Sequence, residues 1–272
     1  NGSMGVLYSI NSLLVDRGDK MLGYGPQFSA YVGGIIRNGV TYDYVQLREE
    51  DNYKFDYKSV IEAIEEEHKF IYIDNPNNPT GQIIPIEEIE EIVKIADEMN
   101  KIVIVDEAYG DFMPNKNSAI NLIGKYKNVV ITRTMSKGLG LAGIRAGYLI
   151  ADKFFVEQYA KVGEIFDCSG PARYLSCVAL EDKQFIEECI EKVRCNKEKL
   201  LNSLNGLHYA YTSPDTPILM LIHPDKNVDL SKELFKKDIK TVPLESFIGA
   251  SKNSVRLRIP ADIDELIDRL NK

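Results

Sequence analysis

The chain has 272 residues, of which 44% are hydrophobic and 27% are charged, and its formal net charge at pH 7 is -8. These fractions are typical of a folded globular protein and exclude a disordered or fibrous chain, and the length allows one large domain or two unequal ones. The negative charge disfavours a broad nucleic-acid-binding surface, which needs a surplus of basic groups on one face, so we expect any bound anion to be held at a local site.

Apolar runs and amphipathic stretches alternate through the first 150 residues. Pro85 followed by acidic residues favours a helix start, because proline fits the first turn and acids interact well with the helix dipole. Strands separated by helices of this length predict a mainly parallel sheet with helices on both faces, so the predicted fold class is α/β. The predicted helices cover 4–16, 29–37, 58–66 and 85–99, and the predicted strands cover 20–24, 41–47, 70–74, 102–105, 129–132 and 147–151.

The pattern changes after residue 151. Residues 174–204 contain only helix-tolerant types and predict one long helix, of the kind that links domains. Short strands and shorter helices then alternate, which predicts a smaller α+β domain. The predicted strands cover 217–222, 240–242 and 254–259, and the predicted helices cover 230–237 and 262–270. We therefore expect a large domain over 1–165, followed over 166–272 by the linking helix and the small domain.

Cysteine and histidine usage indicates the compartment and argues against a metal site. The four cysteines fall within one predicted helical segment, and their spacing is unlike a disulfide framework or a zinc ribbon, so we expect a reducing, cytoplasmic location. The three histidines are far apart in the sequence, so no metal is expected. Apolar runs are much shorter than the roughly 20 residues that span a bilayer, so no membrane segment is expected. The cysteines are Cys168, Cys177, Cys189 and Cys195, and the histidines are His68, His208 and His223.

Two motifs suggest functions that the rest of the sequence does not support. The strand over 102–105 leads into Asp106 and Glu107, as in the magnesium-binding strand of ATPases, but that site also requires a GxxxxGK[ST] loop, which the sequence lacks. Residues 138–143 match GxGxxG, but a dinucleotide site needs a ribose-binding acid about 20 residues later. Asp152 comes too early for the ribose-binding role. Glu107, at the end of the strand over 102–105, is expected to be a structural residue.

Three polar segments follow predicted strands, and one ligand explains all of them. They are 75–81, 106–109 and 134–137. Because strand ends of a parallel sheet meet at one edge, Lys137 is expected to lie near an acid, a tyrosine and an asparagine, with Arg145 eight residues later. A lysine, an acid, hydroxyl and amide donors, and an arginine near glycines are the groups that pyridoxal phosphate requires.

The chain resembles the fold-type I pyridoxal-phosphate-dependent aminotransferases of class I/II, and most of all the branch containing histidinol-phosphate aminotransferase and threonine-phosphate decarboxylase. The resemblance covers the whole chain and depends on NPNNPTG, DEAY and SKGLGLAGIRAG occurring in this order and spacing. It implies a mainly parallel sheet between helices with a smaller C-terminal α+β domain, pyridoxal 5'-phosphate as the cofactor, and a homodimer.

The resemblance also implies roles for individual residues around the cofactor ring. Lys137 would form a Schiff base with the cofactor, and Asp106 would pair with its pyridine nitrogen. Tyr109 and Asn78 would donate hydrogen bonds to its phenolic oxygen, and Phe28 would stack on the ring. Structural alternatives remain open for three of these residues: a helix cap or strand-end acid for Asp106, ordinary turn chemistry for Asn78, and a core aromatic for Phe28.

The cofactor phosphate is expected at the start of the first helix. The main-chain N–H groups of Gly2, Ser3 and Met4 would bind it, with help from Thr134 and Arg145, because helix N-termini and arginine side chains both favour an anion. In many relatives a polar residue stands at the position of Met4, but the main-chain contribution does not depend on that side chain.

The substrate carboxylate is expected at the strand over 254–259. Strand periodicity places Arg256 and Arg258 on one face, and the resemblance implies that one of them binds the carboxylate without saying which. Val242 stands where histidinol-phosphate enzymes usually carry an arginine, so that particular substrate loses support.

We therefore predict an aminotransferase that moves an amino group between an amino-acid-like donor and a 2-oxo acid. A decarboxylase of the same fold, and a non-catalytic cofactor-binding fragment or regulator domain, remain as alternatives. Relatives usually carry further residues before the phosphate loop, so we expect the chain to be a fragment, a processed chain or an incompletely recorded sequence.

Overall fold

Six strands form the larger of two sheets in the computed structural model, which describes residues 1–163 and 168–271. The strand order is β2-β1-β3-β4-β5-β6; neighbours are parallel except for β6, which runs antiparallel to β5. The strands are β1 (Lys20–Gly25), β2 (Thr41–Gln46), β3 (His68–Asp74), β4 (Ile102–Asp106), β5 (Val129–Thr134) and β6 (Gly147–Ala151). This mainly parallel sheet confirms the predicted α/β class.

Helices cover both faces of this sheet because successive strand residues point to opposite sides. Ile71 and Ile73 of β3 pack in an apolar cluster with α4, whereas Phe70 and Tyr72 pack on the other face with α1 and α2. The helices are α1 (Gly2–Leu14), α2 (Ser29–Arg37), α3 (Tyr57–Glu62), α4 (Ile86–Glu98) and α5 (Lys153–Val162).

A smaller antiparallel sheet follows, in the order β7-β8-β10-β9. Leu219 and Leu221 of β8 pack with three of the later helices, α7, α8 and α9. Met220 and Ile222 join the apolar cluster of the larger sheet, so the two sheets share a core. The expected domain boundary at 165/166 lies outside the described residues and stays a prediction. These elements are α6 (Gly170–Glu181), α7 (Lys183–Ser203), β7 (His208–Tyr209), β8 (Ile218–Ile222), α8 (Leu230–Lys236), β9 (Val242–Pro243), β10 (Ser254–Arg258) and α9 (Ile263–Leu270).

The single long helix expected over 174–204 is wrong. The structure has two helices that meet at Asp182, whose carboxylate accepts the N–H of Phe185 and caps the start of α7. An aspartate favours this capping position over a helix interior, because its side chain satisfies an N–H that has no partner inside the helix. Helical propensity along the stretch did not reveal this break.

His68 lies beside two carboxylates, Asp43 and Glu65, that the sequence did not associate with it. Its Nδ1 must accept the main-chain N–H of Glu65, so the ring proton is on Nε2, 3.2 Å from Asp43. Lys20 lies 3.9 Å from both carboxylates. The cluster is therefore satisfied by its own hydrogen bonds and charges.

No helix within the described part of the chain is long and apolar enough to cross a membrane.

The two sheets are tied together by a buried lysine of α7. The Nζ of Lys197 lies 2.6 Å from the Oγ1 of Thr212, 2.6 Å from the carbonyl oxygen of Ser213 and 2.9 Å from that of Ile218. Thr216, which Lys197 also contacts, donates to the carbonyl oxygen of Gly81 in the turn after β3. The lysine thus fixes the smaller sheet against a turn of the larger one.

Replacing Lys197 with methionine should destabilise the protein by about 2–4 kcal/mol, because buried carbonyl oxygens would lose their donor. Urea denaturation followed by circular dichroism measures this change. Lys199→Met is the matched control, since Lys199 is exposed on the same helix. Among the described residues its ammonium pairs only with exposed Asp264, a contact worth about 1 kcal/mol at most. Equal losses in the two variants would contradict the role of Lys197.

Candidate active site

A cavity of about 300 Å³ opens where strands of the larger sheet end and the smaller sheet approaches. All the predicted site residues except Gly2 and Arg258 contribute to its walls. The structure therefore brings together residues from six separate segments of the chain. The lining residues are Ser3, Met4, Phe28, Asp74, Pro76, Asn78, Asp106, Ala108, Tyr109, Thr134, Ser136, Lys137, Ala142, Arg145 and Arg256.

Asp106 is the last residue of β4 and is buried at the floor of the cavity. Its carboxylate accepts hydrogen bonds from the Tyr72 hydroxyl at 3.0 Å, the Thr132 hydroxyl at 2.9 Å and the Ala108 N–H at 3.1 Å. Burial raises the pKa of Asp106, and these three donors oppose that rise. An acceptor held in this way can bind a protonated ring nitrogen.

Lys137 follows β5, and its Nζ lies 5.3 Å from the centre of the Tyr109 ring. Burial lowers the pKa of Lys137, and the charges of Arg256, Arg258 and Arg145 lower it further, whereas Asp106 raises it. A lowered pKa increases the fraction of neutral amine, which is the form that attacks a carbonyl carbon.

Asn78 and Arg256 join the two sheets at the cavity. The Nη1 of Arg256 donates to the Oδ1 of Asn78 at 2.9 Å. Val255 and Leu257 of β10 point into the apolar core of the smaller sheet, so Arg256 and Arg258 share the opposite face, as the strand period predicts. Only Arg256 lines the cavity, and Arg258 is exposed.

Thr134, Ser136 and Arg145 form a polar wall near the start of α1. The Oγ of Ser136 accepts from Thr134 at 3.0 Å and from the Nη1 of Arg145 at 3.3 Å. The Gly2 N–H was expected to bind the cofactor phosphate. In the structure it donates instead to the carbonyl oxygen of Arg145 at 2.7 Å. Gly2 has φ +71°, and a Cβ there would lie 2.7 Å from the Arg145 guanidinium, so this glycine allows the arginine to approach.

Sequence reasoning assigned no role to two polar residues of the cavity wall, Asp74 and Ser136. Asp74 ends β3 and pairs in register with Asp106. The strand-end rule that selected Asp106 could have found Asp74 as well. Ser136 belongs to the same SKGLGLAGIRAG motif as Lys137, but only the fold shows that its hydroxyl contacts Arg145.

The donor set fits pyridoxal phosphate. Arginine, serine and threonine at one end suit a phosphate, a buried carboxylate suits the ring nitrogen, and a lysine of lowered pKa suits the aldehyde carbon. The fold and the cavity together define a pyridoxal-phosphate-dependent enzyme of fold type I.

The family model described as "Aminotransferase class I and II" matches residues 1–270, and the chain belongs to this family of pyridoxal-phosphate-dependent aminotransferases. The predicted family and cofactor are thereby confirmed. The histidinol-phosphate aminotransferase of Methanosphaera stadtmanae is 30% identical over 250 residues, which are 90% of this chain and 66% of that protein. That of Methanococcoides burtonii is 34% identical over 258 residues, which are 95% of this chain and 69% of that protein. The chain thus spans about two thirds of the length of these relatives.

Solved structures share the fold. The histidinol-phosphate aminotransferase of Clostridium acetobutylicum superposes with a TM-score of 0.86 at 26% identity, over 99% of this chain and 80% of that chain. A tetra mutant of Thermus thermophilus aspartate aminotransferase gives a TM-score of 0.88 at 22% identity, over 99% of this chain and 77% of that chain. The latter likeness bears on the fold alone.

Incubation with pyridoxal phosphate followed by borohydride should attach the cofactor permanently to Lys137, because this lysine lines the cavity and has a lowered pKa. Mass spectrometry of the digested protein identifies the labelled residue. Lys153→Ala, at an exposed lysine of α5, is the control and should keep the label. Labelling of a different lysine, or persistent site-specific labelling in Lys137→Ala, would refute the assignment.

Proposed function

We propose that the chain transfers an amino group between an amino-acid-like donor and a 2-oxo acid. The observation that carries this proposal is the placement of Lys137, whose pKa is lowered, in one cavity with the buried Asp106 and with Arg256. These three residues supply a nucleophilic amine, an acceptor for a protonated ring nitrogen and a group for a substrate carboxylate.

When bound, pyridoxal phosphate supplies a ring that withdraws electrons from the substrate's α-carbon. In our proposal Asp106 keeps a proton on the ring nitrogen. The hydrogen bonds from Tyr72 and Thr132 orient the Asp106 carboxylate and oppose the rise of its pKa that burial causes. Tyr109 and Asn78 line the same cavity and provide donors for the phenolic oxygen.

Lys137 is proposed as the group that moves the proton. Its lowered pKa would let the amine accept the proton of the substrate's α-carbon and deliver it to the exocyclic carbon of the cofactor, which a permanently charged ammonium could not do. The surrounding cationic charges of Arg256, Arg258 and Arg145 maintain that property.

Arg256 is proposed to bind the substrate carboxylate. It lines the cavity, and its hydrogen bond with Asn78 leaves the other edge of the planar guanidinium for a bidentate contact. Val242 of β9 pairs in register with Arg256, so the position next to it supplies no second cation for a phosphate ester. This favours a carboxylate-bearing donor.

A homodimer is proposed from an apolar face on α6 and the start of α7. Tyr174 is 72% exposed and Val178 is 50% exposed. Leu175, Leu180 and Phe185 are also exposed nearby. Tyr174 and Val178 are four residues apart and lie on the same face of α6, and exposed apolar patches are characteristic of protein interfaces.

Product analysis tests the reaction. With pyridoxal phosphate, a panel of amino acids and 2-oxo acids, we expect a new amino acid to form in step with a new oxo acid, without release of carbon dioxide. Carbon dioxide without oxo-acid turnover would replace this proposal with the decarboxylase, and bound cofactor without turnover would favour the non-catalytic alternative. The assay should use material whose mass is measured by sedimentation, because full activity in a monomer would contradict the proposed dimer.

The two arginines of β10 should respond differently to lysine. Arg256→Lys keeps the charge but loses bidentate geometry, so the KM for donor and acceptor should rise about 10- to 100-fold, as expected for about 1.5–3 kcal/mol. Arg258→Lys is the matched control and should change KM little. Steady-state kinetics of both variants decides; unchanged KM values in Arg256→Lys would place the carboxylate elsewhere.

A further inference from the structure

Asp74 is a buried carboxylate in the cavity wall that the proposed reaction does not use. It is the last residue of β3, is 3% exposed, and pairs in register with Asp106. Burial raises the pKa of Asp74 to about 6, and the neighbouring charge of Asp106 adds to that rise. Such a group is costly to bury, and its contacts indicate what it does there.

All the hydrogen-bond partners of the Asp74 carboxylate are donors. Its Oδ1 lies 2.8 Å from the Tyr24 hydroxyl and 3.1 Å from the Nδ2 of Asn77, and its Oδ2 accepts the main-chain N–H of Asn78 at 2.9 Å. Within the described part of the chain, no basic side chain hydrogen-bonds it. A main-chain N–H can only donate, so the Asn78 contact requires an acceptor at position 74.

Asn78 connects this contact to the reactive end of the cavity. Its Oδ1 accepts from Arg256 at 2.9 Å, and its side chain lines the cavity that also contains Lys137. The turn is further held by Asn77, whose Oδ1 accepts the N–H of Thr80 at 3.1 Å. Asp74 thus anchors the main chain of the residue whose side chain reaches Arg256.

We propose that Asp74 is a positioning residue for the reaction: by accepting the Asn78 N–H it sets the direction of the Asn78 amide toward the cofactor and Arg256. The inference rests on the proposed function. It assigns the effect to the acceptor oxygen rather than to the charge of Asp74, and these two possibilities have different experimental signatures.

The test compares Asp74→Ala with Asp74→Asn. Both variants lack the negative charge, but the amide oxygen of asparagine can still accept the Asn78 N–H, whereas alanine cannot. The measurement is the pH midpoint at which the absorbance of bound pyridoxal phosphate changes, which reports proton loss from the Lys137 nitrogen that carries it. A donor from Asn78 stabilises the phenolic anion that remains after this loss, so a misplaced Asn78 raises the midpoint.

We expect the midpoint of Asp74→Ala to lie about half a unit to one unit above that of Asp74→Asn, the shift that corresponds to one lost hydrogen bond. In an Asn78→Ala background the difference should vanish, because Asp74 then has no side chain to position. Glu107→Gln is the control, since Glu107 is a buried carboxylate that pairs with Arg133 and does not line the cavity; it should leave the midpoint unchanged.

Equal midpoints in the alanine and asparagine variants would overturn the inference, as would a difference that persists without the Asn78 side chain. If Asp74→Ala does not fold, as judged by its thermal transition, Asp74→Leu removes the acceptor while filling the space and is expected to show the same rise. A folded wild-type chain with no absorbance change on binding would instead overturn the cofactor site at Lys137, and the inference with it.

Discussion

The register of three parallel strands is the constraint on which the rest of the site depends. Asp74 of β3 lies beside Asp106 of β4, and Asp106 lies beside Thr132 of β5. Parallel strands of one sheet end at the same edge, so this register delivers two carboxylates and a hydroxyl to one place. A shift by one residue would turn these side chains to the opposite face, into the apolar cluster that contains Ile71, Ile73 and α4.

The site combines two opposite charges at different depths. The carboxylates of Asp74 and Asp106 are buried beneath the cavity, whereas Arg145 and Arg256 stand in its walls. A chain with a net charge of -8 thereby places two arginine side chains in the walls of the cavity, where they can bind anionic groups. The same cations lower the pKa of Lys137, so the charges that would attract an anionic substrate also favour the reactive form of the amine.

Contacts between the two sheets stabilise the fold and also fix the geometry of the cavity. Lys197 donates to oxygen atoms in and next to β8, and Thr216 donates a hydrogen bond to the carbonyl oxygen of Gly81. Gly81 closes the turn that contains Asn78, and its φ of +76° with no room for a Cβ requires glycine. The position of Arg256 relative to Lys137 therefore depends on packing that lies outside the cavity.

The sequence alone was sufficient for the alternation of strands and helices, because apolar periodicity reflects burial on one or both faces and is local. It also identified Lys137, Asp106, Asn78 and Arg145 as members of one group, since strand ends of a parallel sheet converge and the spacing of the motifs is specific. The break at Asp182 escaped this reasoning, because one capping side chain outweighed the helical propensity of a long stretch.

Only the tertiary structure distinguished Arg256 from Arg258, because the strand period places both on one face and the approach of the smaller sheet decides which one reaches the cavity. It likewise placed Asp74 against the Asn78 N–H, and it satisfied the Gly2 N–H with the carbonyl oxygen of Arg145. Such contacts join residues that are far apart in the sequence, or residues that a turn of the main chain brings together. A sequence pattern records which faces are buried, whereas the partners of individual polar atoms are set by how the elements pack together.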